Sequence, residues 1–206
     1  MLESYLSLSP SSVEGNELPY IGLESIESHT GRILITPEDA TQIMVRGISF
    51  KFNKTNILFG KLRPYLNKVA LPDFSGRCST ELVPLSPIKG YSREFLATIL
   101  RSNFIVDNLM LKNKGARMPR ADMKYLMSLK IIDPDINLIA KFSEYYKNIQ
   151  THFDSLINNK VKIESTFNLL LSQAFDGSLT FSWRDAHMKE VLQEMEQQKR
   201  YFKNEN

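Results

Sequence analysis

Two short stretches of the chain gather positive charge among residues that bend it. The first is Gly60-Lys61-Leu62-Arg63-Pro64-Tyr65-Leu66-Asn67-Lys68, and the second is Lys112-Asn113-Lys114-Gly115-Ala116-Arg117-Met118-Pro119-Arg120. Lys and Arg neutralise phosphates and release their condensed counterions. Arg and Asn also suit the hydrogen-bonding edges of bases in the major groove. Glycine and proline let a loop hold such groups in one shape. The chemistry these residues fit is recognition of a nucleic acid, with Lys61, Arg63, Lys68, Lys112, Lys114, Arg117 and Arg120 as candidate contacts to duplex DNA. An ordinary solvated surface charge is the competing reading for each. At Arg63 the neighbouring Pro64 and Tyr65 add the possibility of a structural role.

Net charge over the 206 residues is only +3, but its distribution is uneven. From Arg46 to Lys130 there are 16 Lys and Arg against 5 Asp and Glu, a net of +11, so the remainder carries −8. A basic segment joined to an acidic remainder points to a polyanionic partner for that segment.

Catalytic constellations are missing at the spacings that chemistry requires. His29, His152 and His187 are far apart in sequence, and the single cysteine, Cys78, has no histidine near it. This excludes a zinc-ligand pattern and a disulfide framework, and it points to a reducing, intracellular setting. Cys78 reads as a small buried apolar residue. Pro72-Asp73 followed by Glu81 resembles the start of a nuclease metal site, but Val83 stands where such a site needs its lysine. No phosphate-binding Gly-rich loop and no methyltransferase Pro-Pro-aromatic signature occur. No apolar run approaches the roughly 18 residues of a membrane span. The opening residues do not form a secretory signal. The expectation is a cytoplasmic protein without catalytic residues, metal or cofactor.

The elements that must position these groups fall into two kinds. Up to Leu85 the chain reads as short strands: Pro19–Leu23, Gly31–Ile35, Ile48–Phe52, Ile57–Gly60, Lys68–Leu71 and Thr80–Leu85. Turn-forming residues separate them at Asn53–Asn56 and Pro72–Gly76. Met1 to Leu18 reads as a loose arm. Ser92 suits the N-cap of a helix over Arg93–Leu100, and further helices are expected over Asn103–Met110 and from about Ala121 to Ser128. A strand through Leu129–Ile132 follows.

The cleanest periodicity lies beyond Pro134. Phe142, Ile149, Leu156, Ile163 and Leu170 recur every seven residues, and Tyr146, Phe153, Lys160, Phe167 and Ala174 recur between them. Nine of these ten positions are apolar or aromatic, which is a heptad seam with Lys160 as its polar interruption. A helix from about Ile136 to Ala174 would run roughly 58 Å at 1.5 Å per residue and must pack against another helix. The seam from Phe142 to Leu170 is therefore the candidate dimer interface. Phe175-Asp176-Gly177-Ser178 stops the helix, and Val191, Leu192 and Met195 offer one weak amphipathic stripe afterwards.

These segments together resemble a known family. Pro19 to Glu27 is similar to the opening of a target recognition domain in the specificity subunits of type I restriction-modification systems. Ile57 to Leu66 with Lys68-Val69-Ala70 resembles that family's most recognisable stretch, and Cys78-Ser79-Thr80-Glu81 follows at the expected distance. Gly115 to Arg120 looks like its Met-Pro-Arg segment, and the long helix ending in Leu171 to Thr180 looks like its spacer helix. A full family member carries two recognition domains and two spacer helices, whereas this chain has one of each.

The resemblance implies an α+β fold. A loose arm (1–18) precedes a globular recognition domain (19–134) with a mixed or antiparallel sheet and helices. A long coiled-coil helix (135–176) and a tail (177–206) follow. It also implies a non-catalytic DNA-recognition subunit that directs methyltransferase and restriction subunits to a bipartite site, in a bacterial or archaeal host defence. With one helix per chain, a homodimer through antiparallel long helices is the simplest way to rebuild the two-headed layout. A coiled-coil adaptor without DNA specificity explains the seam but not the basic head. A small hydrolase or nuclease finds no support in the residue spacing.

Overall fold

A computed structural model describes the chain except Asn16, Lys89, Lys114, Ala116, Glu205 and Asn206, and only the backbone of 202–204. The strands are β1 (Leu6–Leu8), β2 (Ser11–Val13), β3 (Tyr20–Ile21), β4 (Ser49–Phe52), β5 (Ile57–Gly60), β6 (Val69–Ala70), β7 (Gly76–Cys78) and β8 (Leu82–Pro87). The helices are α1 (Pro37–Gln42), α2 (Arg93–Arg101), α3 (Asn103–Lys112), α4 (Met123–Ser128), α5 (Ile136–Phe175), α6 (Phe181–Ala186) and α7 (Met188–Asn204). The chain divides into two units, Met1–Lys147 and Asn148–Asn206.

The first unit is built on two four-stranded sheets, ordered β1-β8-β5-β6 and β2-β4-β7-β3. The first is antiparallel throughout, with Ile57 opposite Leu85 and Gly60 opposite Leu82. The second is mixed, because β3 runs parallel to β7 while β4 runs antiparallel to it. Alternation along β5 explains the layering. Ile57 and Phe59 enter a core shared with α2, α3 and α4, whereas Leu58 enters a second core with Phe52 and Cys78. Val83 and Leu85 on β8 join the first core and Leu82 the second. The first sheet is thus buried on both faces, between helices and the other sheet.

Several expectations meet the structure differently. Residues 1–18 are expected as a loose arm, yet Leu2 and Leu6 are fully buried. Strand β1 pairs with β8, and β2 pairs with β4. Their partners lie far along the chain, so local sequence carries little sign of the pairing. Gly76–Cys78 forms a strand where the turn cluster was expected to extend to Gly76. A Cβ at Gly76 would collide with the Pro19 carbonyl oxygen, and its absence lets the chain before β3 pass close. Gly31–Ile35 makes only an isolated bridge, Ile33 to Ile26, and Leu129–Ile132 forms no strand. Leu129 is instead buried in the first core, and its carbonyl accepts the Leu2 N–H at 2.9 Å.

The helices start and stop as their residue types dictate. The Ser92 hydroxyl accepts the Phe95 N–H at 3.1 Å and caps α2, and Asp122 accepts the Tyr125 N–H at 3.1 Å to cap α4. Ahead of α5, the Asp135 carboxylate accepts the Asn137 N–H at 2.8 Å. Ile139 and Ser143 on α5 are buried in the first unit, and the Ser143 hydroxyl donates to the Ser92 hydroxyl at 2.6 Å.

The second unit has no buried residue among those described. Gly177 takes φ +78, past the end of α5, and the Asp176 carboxylate accepts the Ser178 N–H at 2.7 Å. Hydrogen bonds from Ser178 hold the Asp176 carboxyl below its usual range. Trp183 and His187 stack with their rings 4.7 Å apart.

Candidate nucleic-acid interface

The two basic stretches, separated in sequence by strands and helices, meet through their backbones. Leu62 forms an antiparallel bridge with Arg120. The Ala121 N–H donates to the Lys61 carbonyl at 2.7 Å, and the Arg63 N–H donates to the Pro119 carbonyl at 2.8 Å. Lys61 is half-buried, while the side chains of Arg63, Arg117 and Arg120 are exposed. Arg63 sits at φ +51 and ψ +67, a left-handed conformation uncommon outside glycine. Pro64, fully fixed in φ and buried, then opens one turn of 3-10 helix over Pro64–Leu66.

The other candidates are placed differently. The Lys68 ammonium donates to the Leu23 carbonyl at 2.8 Å and is partly buried, so it is engaged within the first unit. Lys112 lies 3.0 Å from Asp122 and 4.3 Å from the centre of the Tyr125 ring. The Tyr125 N–H and the Lys112 ammonium together hold the Asp122 carboxyl below its usual range. Lys114 lies outside the described residues.

Glu81 is the residue that sequence reasoning set aside. Its carboxylate accepts from the Arg120 guanidinium at 2.9 Å, and its carbonyl accepts the Lys61 N–H at 2.9 Å. Its own N–H donates to the Ser79 hydroxyl at 3.2 Å. It touches both basic stretches at once. Its segment, Cys78-Ser79-Thr80-Glu81, carries part of the family resemblance, but its pairing with Arg120, far along the chain, is not legible there. Asn113 also contributes, with Oδ1 accepting the Arg120 N–H at 3.3 Å.

No group of His, Cys, Asp and Glu among the described residues is placed to hold a metal. Cys78 is fully buried, its Sγ 3.6 Å from the Leu82 carbonyl, and burial pushes its thiol up to about 12. No helix is long and apolar enough to cross a membrane among the described residues.

The candidate interface positions along α5 divide between the units. Phe142 packs on the first core, edge-on to Phe95 with ring centres 5.9 Å apart. The Tyr146 hydroxyl accepts from Arg101 at 3.1 Å, and Arg101 also donates to the Val69 carbonyl at 2.6 Å. These two positions are partly used within the chain. Ile149, Phe153, Leu156, Ile163, Phe167 and Leu170 are all exposed, Ile163 to 69%. Lys160 lies 3.8 Å from Glu164, the acidic residue one turn on.

The α+β fold, with two sheets, helices and a long helix, is similar to that of solved chains from type I restriction-modification systems. The chain aligns with the HsdS subunit from Thermoanaerobacter tengcongensis at TM-score 0.54 and 19% identity, over 75% of this chain and 41% of that one. It aligns with a chain from a structure of complex assembly and conformational transition in the type I R-M system at TM-score 0.55 and 19% identity, over 84% and 47%. In sequence it is 23% identical over 144 residues to the type I restriction enzyme EcoDI specificity subunit of Escherichia coli, covering 68% of this chain. The chain spans 32% of that relative's length. No family model matches the chain. The resemblance to type I specificity subunits therefore holds in both sequence and fold.

Proposed function

We propose that this chain recognises a duplex DNA sequence as a non-catalytic specificity subunit of a type I restriction-modification complex. The observation that carries this reading is the Leu62–Arg120 bridge, which sets Lys61 and Arg63 beside the 117–120 segment in the part of the chain that holds the +11 excess. Likeness to the EcoDI specificity subunit supports it. Arg63, Arg117 and Arg120, with Lys61, are the main contacts. Lys112 and Lys68 contribute less directly, since each already has a partner.

The partners in this reading are a methyltransferase subunit and, through it, a restriction subunit. Two copies pair antiparallel along α5 about a two-fold axis near Leu156 to Lys160, and together they read an inverted repeat split by a spacer. The exposed seam supports the pairing. A coiled-coil adaptor would use the same seam but leaves the basic surface without a role. A gel shift against random-sequence duplex over a range of salt concentrations separates the two. Binding that weakens steeply with salt supports DNA recognition; no binding at low salt refutes it. Methylome sequencing of cells carrying the chain with its methyltransferase should then show one methylated motif, and the family resemblance makes the modified base adenine.

A further inference from the structure

Glu81 places a negative charge between the two basic stretches, bonded to Lys61 through its backbone and to Arg120 through its side chain. Its Oε1 pairs with Arg120, but its Oε2 is shielded from solvent and accepts no hydrogen bond among the described residues. A carboxylate left half-satisfied in a partly buried position is a poor source of stability. Its charge also opposes any phosphate that approaches. Stability and gross DNA affinity would both tolerate its removal, so its role must be sought in geometry.

The geometry is specific. Arg120 has a side chain 63% exposed and Glu81 one 24% exposed, so the carboxylate is the anchored partner and the guanidinium the one that faces solvent. Arg120 Nη2 donates to Glu81, which leaves the other N–H donors of the fork available. Glu81 itself is anchored through its carbonyl to the Lys61 N–H and through its N–H to Ser79. A loose arginine would find a phosphate on any duplex. One held by a carboxylate keeps its remaining donors in one orientation and binds well only where the DNA presents acceptors to match.

We infer that Glu81 is a specificity-determining positioning residue: it aims Arg120 and withholds it from non-matching DNA. This rests on the DNA-recognition reading above.

The test uses the full chain with randomised duplex oligonucleotides. Selection from the pool yields an enriched duplex, and affinities for it and for random duplex are compared. Glu81→Gln should tighten random-duplex binding and lower the ratio of enriched to random affinity by about tenfold, within the worth of one bidentate base contact. Glu81→Asp keeps the charge but shortens the reach, so it should lower the ratio without tightening random binding. In an Arg120→Gln background, Glu81→Gln should no longer change the ratio. A ratio unchanged by Glu81→Gln and Glu81→Asp in a chain that does discriminate overturns this inference alone. So does an equal loss in the Arg120→Gln background. Failure of the unmodified chain to bind any duplex overturns both the inference and the reading beneath it.

Discussion

Arg117 and Arg120 stand on the same loop, but the carboxylate of Glu81 reaches only one of them among the described residues. In the proposed DNA complex Arg120 therefore starts partly neutralised, whereas no ion pair to Arg117 occurs among the described residues. Arg117→Gln and Arg120→Gln should each make the log–log dependence of DNA affinity on salt shallower by about one unit per lost phosphate contact. Arg117→Gln should have the larger effect on random-duplex affinity. Unchanged slopes in both variants would show that this loop does not face the DNA. A second residue-scale prediction concerns Tyr91, whose hydroxyl donates to Asp133 at 2.5 Å and packs edge-on to Tyr5. The Asp133 hydrogen bond, with burial, pushes Tyr91 from the ordinary 10.0 up to about 12. A raised tyrosine value means this contact stabilises the fold fully below the unfolded value of about 10. The contribution disappears as pH rises through the folded value. Ultraviolet titration should show a late-ionising tyrosine that returns toward its ordinary range in Asp133→Asn.

At the scale of elements, Ser92 joins two of them. It caps α2 through the Phe95 N–H and receives the Ser143 hydroxyl from α5. Ser92→Ala should lower unfolding free energy by about 1–2 kcal/mol, measured by urea denaturation, since a cap and a buried partner are lost together. A loss indistinguishable from zero would mean water replaces both bonds. Ser92 was legible from sequence because a cap precedes its helix directly. For the same reason α2, α3 and α5 emerge within a residue or two of the expected starts, their signals being local and periodic. The strands β1 and β2 were not legible, because Leu6-Ser7-Leu8 and Ser11-Ser12-Val13 are short, Ser-rich and paired with distant partners. The site divides in the same way. The basic stretches could be read from composition, but their meeting at Leu62 and Arg120 is a tertiary fact, as is the Lys68 bond to Leu23.

For the whole molecule, the proposed homodimer rests on the exposed seam. From Ile149 to Leu170 it offers large side chains whose burial is worth roughly 1.5–3 kcal/mol each. In the proposed dimer these side chains would be buried across two copies, and Lys160 with Glu164 would supply charge where the helices cross. The double change Leu156→Asp and Ile163→Asp should convert a dimer to monomers by light scattering and weaken DNA binding sharply, while the melting of the first unit stays unchanged. A monomer in the unaltered chain at micromolar concentration would remove the homodimer and leave pairing of the seam with a different helix.

The buried N-terminal residues also set an order of events during synthesis. Strand β1 cannot be paired until β8 has been made, and the Leu2 N–H waits for the carbonyl of Leu129. On a ribosome adding about 5–20 residues per second, Leu2 and strand β1 stay unpaired for several seconds while the rest of the sheet is translated. The apolar seam of α5 leaves the ribosome after those partners do. The surface most prone to wrong association thus appears only once the preceding domain has all the residues it needs to close.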